Sequence, residues 1–136
     1  MTVAAAITFT WLGMVLAISF LEAPLKFRVP GVTLPLGLGI GRAVFAALNK
    51  VEAVLAAGLV VSLAVGTRTT LAVVFAAVVV LALLVQLVAV RPALTRRSDR
   101  VLAGEEGPRS HAHLGYVGLE VLKVAGLLAF GVAALA

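Results

Sequence analysis

The chain has 136 residues, 62% of them hydrophobic and 12% charged, with a formal net charge of +5 and no cysteine. A soluble domain carries about 25% charged residues, so a single membrane-embedded unit is expected, and the lack of thiols excludes disulfides, cysteine nucleophiles and cysteine-ligated metals. In so apolar a protein the basic residues mark cytoplasmic loops rather than nucleic-acid binding.

Val3 to Leu21 is nearly continuous apolar sequence, long enough at about 1.5 Å per residue to cross the hydrocarbon. It has no basic leader and no small-residue cleavage site before Glu22, so it reads as a retained helix rather than a signal peptide. Three more spans follow, giving helices at about 3–22, 42–65, 71–90 and 111–136. A spanning segment must satisfy its own backbone hydrogen bonds. The expected fold is therefore all-α, a polytopic four-helix membrane bundle forming one domain over residues 1–136.

Lys26, Arg28 and Arg42 lie in the first connection, and Arg91, Arg96, Arg97, Arg100 and Arg109 in the third, against Arg68 alone in the second. This bias places the first and third connections in the cytoplasm and both termini on the far side, in a cytoplasmic (inner) membrane. Arg96, Arg97 and Arg100 would also meet anionic lipid headgroups.

The first connection mixes Pro24, Pro30 and Pro35 with Gly31, Gly37, Gly39 and Gly41 among apolar residues. Pro24 should kink or end the first helix near Glu22, and the remainder reads as an interfacial or re-entrant segment leaning on the bundle. The three glycines before Arg42 read as a flexible approach that lets backbones pack closely. No strand precedes them, so the dinucleotide fingerprint lacks its context.

Ala23, Pro24 and Phe27, followed by Gly41 and Phe45 in GIGRAVFAALNKVE, resemble the transmembrane-protein-205-like group of small four-helix membrane proteins. The resemblance covers roughly residues 11–60. It implies a four-helix membrane protein and brings no catalytic residues with it.

Polar residues recur along helix faces. Arg42, Phe45, Asn49 and Glu52 step by three, four and three in the second span, and Arg109, His113, Tyr116, Glu120 and Lys123 by four, three, four and three into the fourth. Glu22 and Lys26 form an i, i+4 pair at the end of the first helix, and Gln86 sits inside Arg91 on the third. All four helices thus offer a polar group to the cytoplasmic half. Ionisable residues inside a membrane face the bundle interior and suggest function. Glu52, Glu120 and Lys123 leave one carboxyl in surplus, and desolvation favours its neutral form.

Glu52, Glu120, His113 and Tyr116 are therefore candidate acid-base and relay residues, with Glu22, Asn49, Lys123, Arg42 and Gln86 as candidate substrate contacts. His111 and His113 are two apart and face different ways on a regular helix, and the Glu-x-x-His metal motif is missing. No metal or other cofactor is expected, haem on a histidine being the remaining variant. Three functions are open: binding and conversion of a small lipophilic substrate by carboxylate acid-base chemistry, a small proton-coupled transporter, or an accessory subunit whose buried charges fix helix register. Membrane lipids and a homo-oligomer are the expected partners.

Ala53 and Ala57, and Ala125 and Ala129, are small residues at four-residue steps. They suggest close packing of the second helix on the fourth.

Overall fold

The computed structural model describes residues 1–104 and 111–136, the side chains of 111–113 excepted. The described residues form four long helices, each long and apolar enough to cross a membrane: α1 (Thr2–Lys26), α2 (Leu34–Val65), α3 (Thr70–Leu102) and α4 (His111–Leu135). The chain is an all-α four-helix membrane bundle. Its outward face is apolar, with Val54, Val65, Val88 and Val132 among the most exposed side chains, while Glu52, Gln86, Glu120 and Lys123 are buried. This is the inverse of a soluble bundle, and it fits a lipid surround in which helices gain little by hiding leucine and valine from one another.

Two prolines shape the helices. Pro24 and Pro92 have no N–H to donate, and their rings crowd the carbonyl four residues back. In both helices the turn just upstream is widened to π geometry, at Leu16–Glu22 in α1 and Gln86–Val90 in α3, a common accommodation of such a clash. The helix then continues through each proline rather than stopping, so α3 reaches Leu102 instead of ending near residue 90.

The start of α2 also differs from the sequence reading. Thr33 caps the helix by accepting a hydrogen bond from the Leu36 N–H, and Pro35 occupies the first turn, where its missing donor costs nothing. The helix therefore begins at Leu34, and Gly37, Gly39 and Gly41 lie within it rather than in a re-entrant loop. Gly37 and Gly41 are one turn apart on α2 and receive the end of α1. A Cβ on Gly37 would collide with the Phe27 ring, and one on Gly41 would lie 3.0 Å from Lys26 Nζ. At 32 residues, α2 is about 48 Å long. This exceeds a hydrocarbon core of about 30 Å, so the helix is longer than a single crossing requires.

At the opposite end, Thr69 caps α3 by accepting from the Ala72 N–H, and Arg68 bonds the Leu63 carbonyl at the end of α2, closing a tight hairpin. Thr8 and Ser62 turn their hydroxyls back onto the Ala4 and Gly58 carbonyls, which satisfies them within hydrocarbon.

Helix α4 packs chiefly on α3 and α1, and α2 packs on α1 and α3. The second and fourth helices are thus diagonal across the bundle, not the close neighbours expected from their alanines. Ala53, Ala57 and Ala125 are exposed, facing the lipid side, and Ala129 is only half-buried. The close approaches fall on other small residues. A Cβ on Gly126 would lie 2.7 Å from Val79 Cγ2, and one on Gly131 would lie 2.7 Å from the Phe9 ring. Gly126→Val should force α3 and α4 apart and destabilise the protein by about 1–3 kcal/mol, seen as a lower melting temperature in detergent, whereas Ala125→Val should change it little.

The interior is layered along the bundle axis. Around Trp11, Val15, Leu59, Ala76, Val79, Leu127 and Phe130 the half nearer the chain termini is a packed apolar core. A polar cluster lies above it, and a chamber at the end carrying Lys26, Arg42 and Arg91 lies above the cluster.

Candidate functional site

The polar cluster exists because α2 and α4 each bring a carboxylate to one level. At about 1.5 Å per residue, Glu52 is about 20 Å from Val65 at the end of α2, and Glu120 about 22 Å from Leu135 at the end of α4. Lys123 lies between them, one turn along from Glu120, and bridges the diagonal. Its Nζ contacts Glu52 Oε2 and lies 2.6 Å from Glu120 Oε1. All three side chains are at most 2% exposed.

The two carboxylates are held differently. Glu52 Oε2 accepts from Trp11 Nε1 at 2.8 Å as well as from Lys123, and Glu52 Oε1 has no partner. An indole N–H and an ammonium can only donate, so both contacts require Glu52 Oε2 to be an acceptor. Glu120 Oε1 accepts from Gln86 Nε2 at 2.8 Å and from Lys123, while Glu120 Oε2 meets the Ser19 hydroxyl. A hydroxyl both donates and accepts. Ser19 therefore suits either protonation state of Glu120, a freedom Glu52 lacks at its bonded oxygen.

Above Glu120 the helices part around a chamber of about 490 Å³, within the size range of small-molecule sites. Glu120, Ser19, Tyr116 and Val117 line its inner part, the end of α1 and start of α2 one wall, and the end of α3 the other. The widened turn in α3 lets two residues five apart reach the same tyrosine: Gln86 Nε2 lies 3.4 Å from the Tyr116 carbonyl, and Arg91 donates to the Tyr116 hydroxyl at 3.0 Å. The Arg91 guanidinium also lies over the rings of Tyr116 and Phe45, which meet edge to face. Arg42 pairs with Asp99 at 2.6 Å, tying α2 to the proline-extended end of α3.

The structure places most of the sequence-predicted residues around these two features. Glu52, Glu120, Lys123 and Gln86 form the cluster, and Tyr116 lines the chamber. Arg42 is a half-exposed wall residue. Asn49 is buried one turn from Glu52 with its Oδ1 unpartnered, and Glu22 stays with Lys26 on α1 without joining the cluster. Arg109 and the side chains of His111 and His113, and with them the expected histidine relay, lie outside the described residues. Among the described residues no group of histidine and carboxylate side chains is arranged to hold a metal ion.

Trp11 and Ser19 were missed because both sit in the long apolar run of α1. The available signal was hydrogen-bonding capacity: a buried tryptophan N–H needs an acceptor, and Ser19 adds a second polar handle on the same helix. Arg91 was read only as a charge that orients the chain. Its position directly before Pro92 was the clue that the helix is re-aimed there.

Fold and cluster together define a four-helix membrane protein with a buried carboxylate–lysine–carboxylate centre beneath a largely apolar chamber. No protein-family model, no curated protein and no solved structure matches the chain. Ala23, Pro24, Phe27, Gly41 and Phe45 all line the chamber.

Proposed function

We propose that the protein admits a small lipophilic ligand to this chamber from the cytoplasmic leaflet of the inner membrane and exchanges a proton with it at Glu120. The observation that carries this reading is that Glu120 both lines the chamber and contacts Lys123. A ligand group entering beside Ser19 would meet the carboxyl oxygen that can hold or release a proton. Glu52 serves as the fixed counter-ion for Lys123, and the Tyr116 hydroxyl, which accepts from Arg91, keeps its own proton available to orient the ligand.

Charge supports the same division of labour. Two carboxylates and one ammonium carry net −1 when all are ionised and zero after one proton is taken up, and a buried net charge is costly. The cluster is also rich in acceptors, since Glu52 Oε1 and Gln86 Oε1 have no donor. Below the cluster the apolar core is packed, with Val15, Leu59, Val79, Leu127 and Phe130 fully buried. That supports a chamber entered from one side over a path through the membrane.

The test compares lipophilic molecules co-purifying with the native protein and with Glu120→Gln. Glutamine matches the protonated acid in size and can donate to Ser19, so the variant should keep its stability within about 1 kcal/mol and accumulate the unconverted ligand, read by mass spectrometry. Identical profiles in both proteins, or none above a detergent blank, would leave the cluster as helix-register glue. For topology, the basic bias places Ala136 on the non-cytoplasmic side, so a periplasm-active reporter fused there should be active. A cytoplasm-active one should be silent.

A further inference from the structure

Resting on the reading of the chamber as a ligand site, we infer that its ligand is an amphiphile with an oxyanion head, a phosphate or carboxylate, whose head docks at Arg91 and Lys26 while its tail lies along the greasy walls. The charge around the chamber is one-sided. Lys26, Arg42, Arg91 and Arg97 line it against Glu120 alone. Arg42 is engaged by Asp99. Arg91 is different: its contacts are the Tyr116 hydroxyl and two aromatic faces, with no carboxylate at ion-pair distance among the described residues, and its Nε is buried without an acceptor. A guanidinium is always charged and presents five donors in a planar fork matched to carboxylate and phosphate.

Lys26 approaches the same place from the opposite wall. Its side chain is 10% exposed, and its Nζ is 3.7 Å from Glu22 Oε2, beyond hydrogen-bond reach. It rests on Gly41 and over the Phe45 ring, whose other cationic neighbour is Arg91. Phe45 therefore sits between two cations facing one chamber, Arg91 with no carboxylate at ion-pair distance among the described residues and Lys26 in a long ion pair with Glu22. Ser98, on the Arg91 face of α3 at seven residues' distance, lines the chamber with its hydroxyl buried and unpartnered. Guanidinium, ammonium and hydroxyl together supply donors on facing walls, with Glu22 3.7 Å from Lys26 and Glu120 at the chamber's inner end, an arrangement suited to an oxyanion.

The rest of the lining sets the tail. Phe20, Pro24, Phe27, Leu38, Leu94 and Val117 give it an apolar surface. Inorganic phosphate would fill only the polar end. A neutral lipophile would leave Arg91 Nε and the Ser98 hydroxyl unmet.

Dodecyl phosphate, dodecanol and inorganic phosphate, each titrated into the purified protein in a non-ionic detergent, separate the cases by isothermal calorimetry. Dodecyl phosphate should bind saturably, at least about tenfold tighter than either of the others, and Arg91→Gln should weaken it about 10- to 100-fold, the loss expected for a charge-assisted contact. Arg91→Lys keeps the charge and should fall in between, which guards against a variant that merely misfolds; Ala125→Val, on the outward face of α4, should bind as the native protein does. Equal binding of dodecanol and dodecyl phosphate overturns the oxyanion assignment while leaving the chamber reading intact. Equal binding of inorganic phosphate overturns the amphiphile, and no binding by any of the three removes the chamber reading itself.

Discussion

Replacing Lys123 with methionine should destabilise the protein by about 3–5 kcal/mol, the cost of stranding a buried charge whose partner has been removed. The ammonium is the shared partner of Glu52 and Glu120, and no other cation is within ion-pair distance of either carboxylate among the described residues. Methionine fills a similar volume, so the loss is electrostatic rather than a matter of packing. The check is thermal unfolding in detergent. The double variant Lys123→Met with Glu52→Gln should recover a large part of the loss, because it removes the carboxylate whose remaining donor is a neutral indole. A methionine variant as stable as the native protein would mean that the cluster carries no buried charge at all.

Trp11→Ala should cost a comparable 3–5 kcal/mol, from the cavity left by the largest fully buried side chain together with the lost donor to Glu52. In a lipid surround the cost comes from contacts forfeited around the void, since the hydrophobic effect contributes little between helices. Trp11→Phe keeps most of the ring and loses only the N–H, so it should cost about 1–3 kcal/mol. Equal effects of the two substitutions would show that the hydrogen bond, not the packing, dominates.

The spans and the polar stripe Tyr116, Glu120, Lys123 were legible because a helix shows its inward face through a fixed period, and a charge in hydrocarbon has few places to go. Asn49 and Glu52 were legible in the same way. Helix adjacency was not. Small residues are frequent throughout this chain, so an Ala-x-x-x-Ala step identifies a contact only when something lies against it, and Ala53 and Ala57 face outward while Gly126 and Gly131 meet Val79 and Phe9. The diagonal placement of α2 and α4 escaped notice because a lysine side chain is long enough to join helices whose backbones are not neighbours. The extent of α2 was misread for a related reason: glycine and proline are poor helix formers alone, but Thr33 as cap and Pro35 in the first turn use them where they fit.

The widened turn of Gln86–Val90 makes α3 a helix with a change of phase. Each residue of an α-helix advances the side chain by about 100°, so in a regular helix Gln86 and Arg91 would point well apart. Bonding five residues back instead of four brings them toward one side, where both now touch Tyr116. The azimuth of Arg91 and of Ser98 beyond it is thereby set by the helical count between Gln86 and Pro92 rather than by any contact in the chamber. Deleting Val88 would leave Arg91 four residues after Gln86, where a regular α-helical turn also keeps both on one side, whereas winding the full-length segment as a regular α-helix would swing the donors of α3 out of the chamber. The property that this segment has to keep is the phase between Gln86 and Arg91, not any one residue within it.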